Sequence, residues 1–195
     1  MAGPSWYLRA VMQMDTDRPV SSSISGVRPV PMVMHADERG IFTEIFRNEW
    51  DTGIDPLQWN VVRTKAGVLR GVHVHPTHTD YLMVVSGTAT IGLRDLRAGS
   101  PTEGRSQTLT VDGDSLTGLT IPRGVAHGFL FHDPAIHVYA VSHYWDTADE
   151  LPCHWSDPDL GIDWPFAPTM VSPRDDAAGS LSDLLVRLAP YQPIG

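Results

Sequence analysis

Histidines are concentrated in one short stretch of the chain, GVHVHPTHTDYLMVVSG, in which His73, His75 and His78 fall within six residues. On a β-strand, residues two apart point to the same face, so His73 and His75 would present both imidazoles to one side. Asp80 follows after a short turn, and His127 comes from a second run, IPRGVAHGF. Three histidines and a carboxylate suit a divalent first-row metal. The same spacing also suits histidines that lie in surface loops or are hydrogen-bonded inside a barrel.

The segments around these histidines have the pattern of short strands. Runs of β-branched and aromatic residues alternate with turn residues from Val27 onwards, and the chain contains 17 glycines and 16 prolines. Within Thr88–Asp95, apolar Ala89, Ile91 and Leu93 alternate with other residues, which is typical of a strand with one buried face. About ten such runs with few helical segments predict an all-β sandwich or barrel, with core strands over about 58–145.

The length of 195 residues indicates one domain, since domains commonly contain roughly 100–200 residues. Residues 1–26 mix charge, proline and serine without periodicity, so we predict a mobile N-terminal leader there and a single domain over 27–195. A capping-box pattern and a stripe of leucines follow Gly179. They predict a short C-terminal helix at about 180–189, packed against the sheet.

The net charge of −9 argues against polyanionic partners. A negative surface repels nucleic acids and anionic membranes, so we predict neither as a partner. A small anionic ligand is still compatible with this charge, because a few arginines in one pocket can outweigh a diffuse negative surface. Cys153 is the only cysteine, and the N-terminal residues lack a signal-peptide pattern, so we expect a cytoplasmic protein.

The histidine stretch and the IPRGVAHGF run match the two cupin motifs, with Asp80 in place of the usual glutamate. A more specific resemblance covers about 130 residues, in the segments DERGIFTEIF, QWNVVRTKAGVLRGVH, GTATIGLRDLRAGSPTEGR, IPRGVAHGF and WSDPDLGIDWPF. In these segments the chain resembles the dTDP-4-dehydrorhamnose 3,5-epimerases and related enzymes of deoxysugar pathways. The resemblance implies a double-stranded β-helix, or cupin jelly-roll barrel, which forms a homodimer. It also implies that the barrel binds a thymidine-diphosphate 4-keto-6-deoxysugar.

Catalytic roles follow from the same resemblance. His73 matches the family's base, Asp175 matches the carboxylate that orients the base, and Tyr139 matches the acid on the opposite face of the sugar. These residue types suit proton transfer next to a ketone, because the pKa of histidine is about 6.5 and tyrosine is a neutral O–H donor at pH 7. The resemblance therefore implies epimerisation at C3, at C5 or at both, without a cofactor.

The resemblance assigns nine further residues to substrate binding. Arg39 and Arg70 match arginines near the diphosphate, where a planar guanidinium can donate two hydrogen bonds. Trp145 falls where family members stack a tyrosine on thymine. The other assignments around the nucleotide and the sugar are Phe42, Glu44, Gln58, Asn60, His127 and Arg174.

Two positions depart from the family pattern. Asp80 occupies the place of a lysine beside the C4 oxygen, and His75 occupies the place of a glutamine in the HxH motif. These changes together restore a metal-ligand set, so one alternative is a metal-dependent cupin enzyme whose ligands are His73, His75, Asp80 and His127. In that alternative His73 could not also be a free base. A third alternative is a cupin that binds a sugar nucleotide without catalysis.

We favour the metal-independent epimerase among these three. We also predict that Arg39, Asn60, Arg70 and Trp145 converge in one pocket. The DERG segment precedes the core strands and is expected to pair with the sheet edge of a second copy, which would hide that edge. In such a homodimer, Arg39 would serve the site of the neighbouring subunit.

Overall fold

The computed structural model describes residues 20–194. Residues 1–19 of the predicted leader lie outside this range. The end of that segment is packed, because the side chain of Ile24 is only 2% exposed and belongs to the main apolar cluster. In addition, the backbone N–H of Ser23 donates to Gln107 Oε1 over 2.8 Å. The packed part of the chain therefore begins before Val27, since Ile24 contributes apolar area that the sheets bury.

The described residues form thirteen strands and two α-helices. The strands are β1 (Arg28–Pro31), β2 (Met34–Asp37), β3 (Gly40–Thr43), β4 (Gln58–Thr64), β5 (Val68–Val74), β6 (Asp80–Ser86), β7 (Thr88–Asp95), β8 (Ser106–Asp112), β9 (Thr117–Ile121), β10 (Val125–Phe131), β11 (Ala135–Val141), β12 (Leu151–Pro152) and β13 (Met170–Val171). The helices are α1 (Pro173–Asp176) and α2 (Leu181–Leu188). Single 3₁₀ turns lie at Thr147–Asp149, Pro158–Leu160 and Ala189–Tyr191.

Two sheets form a sandwich. Their strand orders are β1-β9-β6-β11-β4 and β12-β5-β10-β7-β8, with β13 parallel beside β5. From β4 to β7, and again from β8 to β11, successive strands alternate between the two sheets. This alternation is the double-stranded β-helix that the sequence predicted, and the predicted all-β fold with a short C-terminal helix is confirmed.

Apolar side chains fill much of the space between the sheets. The buried members of this cluster include Leu82, Val84, Ile91, Leu93, Leu109, Val111, Leu119, Ile121 and Phe131. Tyr139 and Phe129 pack against the cluster while remaining partly exposed. Burying a side chain of this kind contributes about 1.5–3 kcal/mol. The cluster thus supplies a rigid support for the polar residues beside it.

The orientation of β5 is set by a second apolar cluster behind it. Val72 and Val74 are fully buried and share this cluster with leucines of α2. Because neighbouring residues of a strand point to opposite faces, this arrangement turns His73 and His75 toward the interior of the barrel. The capping box predicted at the start of α2 is present, with Ser180 as the N-cap.

A close approach of β5 and β10 depends on Gly71. Its φ is +101°, and a Cβ at this position would lie 2.8 Å from the backbone oxygen of His127. Any other residue would therefore be strained and would push the strands apart. The register pairs His73 with His127 and shifts immediately afterwards, between His127 and Gly128. Because directly paired residues of neighbouring strands lie on the same face of a sheet, both imidazoles share one face.

Strands β2 and β3 form a separate two-stranded sheet. Exposed apolar residues lie on this hairpin, at Ile41 and Phe42, and directly before it, at Val33. Strand β4 ends the five-stranded sheet, and no strand within residues 20–194 pairs with its outer edge. None of the helices in the described part of the chain is both long and apolar enough to cross a membrane.

Candidate active site

A cavity of about 150 Å³ opens between the two sheets. Its walls come from β4, β5, β6, β10 and β11 and from the segment after β11. The lining residues are Val62, Arg70, His73, His75, Asp80, Leu82, His127, Phe129, His137, Tyr139 and Glu150. The cavity therefore brings together titratable groups that the sequence separates by dozens of positions.

His73 is hydrogen-bonded to a buried carboxylate. Its Nε2 lies 2.6 Å from Asp175 Oδ1. A carboxylate can only accept, so we place the ring proton on Nε2 and the free lone pair on Nδ1. Among residues 20–194, none makes a hydrogen bond to that Nδ1 atom. The imidazole is thereby held in the tautomer that a general base needs.

The environment of Asp175 keeps it ionised. Burial alone would raise its pKa, but hydrogen bonds and charge interaction with His73, a hydrogen bond with Ser172 and the N–H of Gly71 together lower that pKa below its usual value. The Gly71 N–H donates to Oδ2 over 3.3 Å. The carboxylate can therefore stabilise an imidazolium when His73 accepts a proton.

Arg174 and Glu150 lie next to this pair. Arg174 Nη2 is 3.1 Å from His73 Nε2, a contact without a hydrogen bond when Nε2 carries the proton, and it donates to Glu150 Oε2. The other oxygen of Glu150 accepts from Trp145 Nε1 over 2.8 Å. Trp145 remains 47% exposed, so its ring has a face that is open to a ligand.

Tyr139 faces the same cavity from β11. Its hydroxyl forms no hydrogen bond with another residue of the described chain. Burial raises the pKa of Tyr139, and the carboxylates of Asp80 and Glu150 raise it further, so the hydroxyl stays protonated at neutral pH. The ring of His137 stacks at 6.0 Å from that of Tyr139 and at 5.2 Å from that of Phe131. The His137 ring therefore packs between the rings of Tyr139 and Phe131.

Asp80 lies at the start of β6, in the sheet opposite to β5 and β10, and its carboxylate lies near three histidines. Its Oδ2 lies 3.7 Å from His75 Nε2 and 3.6 Å from His127 Nε2, while its Oδ1 lies 3.7 Å from His78 Nε2. His78 Nδ1 in turn lies 2.5 Å from Asp149 Oδ2. All four members of this imidazole–carboxylate cluster are at most 6% exposed. Three of them, His75, Asp80 and His127, line the cavity.

Burial opposes charge on every member of the cluster. It raises the pKa of Asp80 well above its ordinary value, with help from the negative charges of Glu150 and Asp149. It lowers the pKa of His127 to about 4 and that of His75 well below its ordinary value, the latter also through repulsion by neighbouring histidines. Without an added cation, the cluster therefore holds neutral imidazoles at neutral pH.

Only part of the four-residue metal set predicted from the sequence comes together. His75, Asp80 and His127 offer ligand atoms that all lie within 4.8 Å of one another. His73 is not a member of the groups of this kind among the described residues, and its Nε2 is hydrogen-bonded to Asp175. The structure therefore does not bring His73 together with the other three as a fourth ligand.

The residues predicted to bind the nucleotide fall into two groups, one near the cavity and one away from it. Arg70 lines the cavity, and its Nε donates to Thr64 Oγ1 over 3.1 Å. Gln58 donates to Asn60 Oδ1 over 2.8 Å and accepts from the backbone N–H of Trp145 over 3.0 Å. Asn60 Nδ2 is buried without a hydrogen-bond partner. Of these four residues, Arg70 lines the cavity, and Gln58 connects Asn60 to Trp145. That all four converge in one nucleotide pocket stays a prediction.

Arg39, Phe42 and Glu44 are not brought to this cavity within one chain. Arg39 pairs with Asp37 and its side chain is 85% exposed, and Phe42 is 64% exposed. Glu44 pairs with Arg47. Within one chain Arg39 therefore lies away from Arg70, because the β2–β3 hairpin packs apart from the two main sheets, and the role of Arg39 in the site of a neighbouring subunit stays a prediction.

Sequence reasoning missed His137 and Glu150 as wall residues. His137 stands two positions before Tyr139 on β11, so the strand period could have placed it on the same face. Glu150 follows the 3₁₀ turn Thr147–Asp149, and no periodicity indicates where its side chain lies. Asp149 escaped notice for the same reason.

Comparison with known proteins decides the family. The family described as dTDP-4-dehydrorhamnose 3,5-epimerase matches residues 21–183. The chain belongs to this family. The resemblance inferred from five sequence segments is thus confirmed.

Relatives within the dTDP-4-dehydrorhamnose 3,5-epimerase family include enzymes whose names specify epimerisation at different carbons of the sugar. The chain is 33% identical over 173 residues to dTDP-4-dehydrorhamnose 3,5-epimerase of Mycobacterium tuberculosis, covering 83% of this chain and 86% of that protein. It is 34% identical over 182 residues to dTDP-4-dehydro-6-deoxyglucose 3-epimerase of Streptomyces bikiniensis, covering 87% and 93%. Both double and single epimerases therefore lie at similar sequence distance.

A solved family structure supports the same fold. The 3,5-epimerase of Legionella pneumophila in complex with dTDP-4-keto-L-rhamnose superposes with a TM-score of 0.80 at 30% identity, covering 87% of this chain and 95% of that one.

Proposed function

We propose that the protein is an epimerase that acts on a thymidine-diphosphate 4-keto-6-deoxyhexose, at C3, at C5 or at both. The observation that carries this proposal is the His73–Asp175 pair opening onto the same cavity as Tyr139, in a chain of this family. A base and a neutral acid in one cavity are what inversion at a carbon next to a ketone requires.

His73 is the proposed base. A C–H bond beside the C4 ketone is acidic because the electron pair left behind delocalises onto the carbonyl oxygen. Nδ1 of His73 accepts this proton, and the imidazolium is stabilised through Nε2–H by the carboxylate of Asp175. General-base catalysis by such a positioned group typically contributes about 10²–10⁴-fold in rate.

Tyr139 is the proposed proton donor from the other face of the sugar. Its raised pKa keeps the hydroxyl protonated at neutral pH, and its ring is restrained by stacking on His137. Protonation by Tyr139 on the face opposite to His73 inverts the carbon. Return of the proton by His73 would instead restore the starting configuration.

The nucleotide is assigned to the side of the cavity with Arg70, Gln58, Asn60 and Trp145. The Arg70 guanidinium suits the diphosphate, and the half-exposed Trp145 ring suits stacking on thymine. The unpartnered Asn60 Nδ2 is a donor available to a ligand that reaches it. Arg174 and His127 border the sugar position beside His73.

The remaining substrate residues belong to a second copy in this proposal. The outer edge of β4, which no strand within residues 20–194 pairs with, supports a homodimer, together with its exposed Trp59 and Val61 and the preceding Leu57. The exposed apolar surface of the β2–β3 hairpin supports it as well. A hairpin that pairs with the neighbour's β4 edge would hide this surface and add Arg39, Phe42 and Glu44 to the neighbour's cavity.

The proton transfers are assigned to side chains and need no organic cofactor. The sugar nucleotide is the proposed partner, whereas nucleic acids and membranes are disfavoured by the net charge of −9. A cytoplasmic location stays a prediction. It is compatible with the single cysteine, Cys153, which is buried and unpaired.

Proton NMR in D₂O tests the activity. dTDP-4-keto-6-deoxyglucose is incubated with the protein, and the signals of H3 and H5 are followed together with those of new epimers. We expect loss of one or both signals and growth of an epimer at the same carbon. Binding of the nucleotide without any exchange would support a non-catalytic cupin instead and contradict the proposal.

A further inference from the structure

Two imidazoles and a carboxylate point their electron pairs at one position in the cavity wall. His75 Nε2 and His127 Nε2 lie 3.7 and 3.6 Å from the same oxygen, Asp80 Oδ2. Each of these residues is at least nine-tenths buried. The Asp80 carboxylate receives no hydrogen bond from any residue between 20 and 194, which is unusual for a buried carboxylate.

The protons on both rings face away from Asp80. His75 Nδ1 lies 3.3 Å from the backbone oxygen of Asp149, and His127 Nδ1 lies 3.1 Å from the backbone oxygen of Val125. A carbonyl oxygen can only accept, so each Nδ1 carries the proton and each Nε2 has its lone pair free. Histidines that ligate metals are generally held in this way, with the other ring N–H donating to a carbonyl or carboxylate.

The distances fit a shared cation better than hydrogen bonds. Separations of 3.6 and 3.7 Å are too long for an N–H···O hydrogen bond. Ligand atoms that each lie about 2.0–2.2 Å from a tetrahedral zinc ion are about 3.4 Å apart. Three lone pairs that converge in a buried wall repel one another unless a positive charge lies between them.

We propose that His75, Asp80 and His127 bind one divalent first-row metal ion of the zinc type. Two histidines and one carboxylate are a common ligand set for such ions and leave coordination positions open. His78 lies next to the site. Its Nδ1 is 2.5 Å from Asp149 Oδ2, and its Nε2 is 3.7 Å from Asp80 Oδ1, which is too long for a hydrogen bond.

The catalytic consequence rests on the proposed function. The ligands line the same cavity as His73 and Tyr139, so the cation would face the sugar's C4 oxygen and stabilise the negative charge that forms there. It would thus replace the lysine that the family pattern has at the position of Asp80. His73 remains free as the base, because its Nε2 is bound to Asp175 and it is not a ligand.

Metal binding is measured first, independently of activity. The full chain is purified without chelators, its metal content is determined, and the metal-free protein is titrated with Zn²⁺ by calorimetry and with Co²⁺ by visible absorption. We expect one ion per chain. We also expect His75→Gln and Asp80→Asn to weaken Zn²⁺ binding by more than about a hundredfold, the upper scale for loss of outer-shell partners alone.

Two matched variants separate this site from other histidines. His73→Asn should bind Zn²⁺ as the wild type does, because His73 is not a ligand. His154→Gln, a change at a histidine that contacts Ser156, should also bind normally. Circular dichroism checks that every variant is folded. Equal Zn²⁺ affinity in wild type and Asp80→Asn, or no Zn²⁺ binding by the wild type, would overturn the proposal.

Asp80→Lys connects the metal to catalysis. This substitution supplies the family's cation but removes a ligand, so we expect both bound metal and deuterium exchange at the sugar to fall. Exchange by the metal-free wild type at the rate of the metal-loaded protein would contradict this catalytic role and support a metal-independent enzyme. A wild type that binds Zn²⁺ but exchanges no sugar proton would sink the epimerase proposal and leave the metal site standing.

Discussion

Asp175 Oδ1 lies 2.6 Å from His73 Nε2, although the two residues are 102 positions apart. The topology explains this contact. Strand β13 runs parallel to the start of β5, and α1 follows directly, so the chain carries Asp175 alongside β5 to His73. The carboxylate thus comes from a segment with no strand pattern of its own.

Replacing Asp175 by asparagine should impair catalysis more than binding. An amide cannot stabilise an imidazolium and can donate to Nε2, which favours the wrong tautomer of His73. We expect kcat to fall by about 10²–10⁴-fold with KM nearly unchanged. The control is Asp176→Asn at the neighbouring exposed carboxylate, and steady-state kinetics that show equal loss in both variants would argue against the pair.

Tyr139→Phe should uncouple exchange from inversion. His73 can still remove a proton and return a deuteron to the same face, whereas delivery to the other face loses its donor. In D₂O we expect deuterium in recovered substrate while epimer formation drops by about 10²–10⁴-fold. Tyr144→Phe, at a tyrosine that is 75% exposed, serves as the control. Unchanged epimer formation in Tyr139→Phe would exclude the assigned role.

Arg70→Ala should weaken binding of thymidine diphosphate. The loss of a charge-assisted hydrogen bond costs about 1.5–3 kcal/mol, which corresponds to roughly 10–150-fold in Kd. Calorimetry with the nucleotide alone measures this directly. Arg63→Ala, at an exposed arginine of β4, should bind as the wild type does. Identical affinities of wild type and Arg70→Ala would remove Arg70 from the nucleotide site.

Light scattering should report twice the chain mass of 21.4 kDa at micromolar concentration. Val61→Glu should produce monomers, because it places a charge on the exposed apolar edge strand β4, where Val61 is 65% exposed. Val186→Glu, on α2 and 75% exposed, should remain dimeric. A monomeric wild type would refute the dimer and the role of Arg39 in a neighbouring site.

His137 should make stability depend on pH. Burial, and then the charge of Arg70, lowers the pKa of His137 to about 4, so the unfolded chain binds the proton more readily than the folded chain. The stability that the neutral His137 contributes is therefore fully present above about pH 6.5 and is lost as the pH falls toward 4. As the pH falls over this range, urea unfolding in EDTA should show that the free energy of unfolding of His137→Phe rises relative to that of the wild type, by up to about 1.4 kcal/mol per pH unit. Parallel pH curves for the two proteins would contradict this account.

The sequence predicted an all-β sandwich or barrel, because the alternation of apolar with other residues along a strand can be recognised from a few neighbouring positions. It also predicted His73, His75, Asp80 and His127 near one another, since strand register determines which faces meet. The place of Arg39 depends on a hairpin that packs apart from the sheets and stays a prediction that needs a second copy. Glu150 was missed because it lies in irregular chain. The separation of His73 from the imidazole–carboxylate cluster depends on Asp175, whose approach no spacing in the sequence indicates.

Solvent exchange by wild type and His73→Asn tests the central claim most directly. With dTDP-4-keto-6-deoxyglucose in D₂O, the wild type should incorporate deuterium at C3, at C5 or at both, and His73→Asn should lose this incorporation by about 10²–10⁴-fold while still binding thymidine diphosphate. Incorporation at the wild-type rate in His73→Asn would contradict the assignment of His73 as the base.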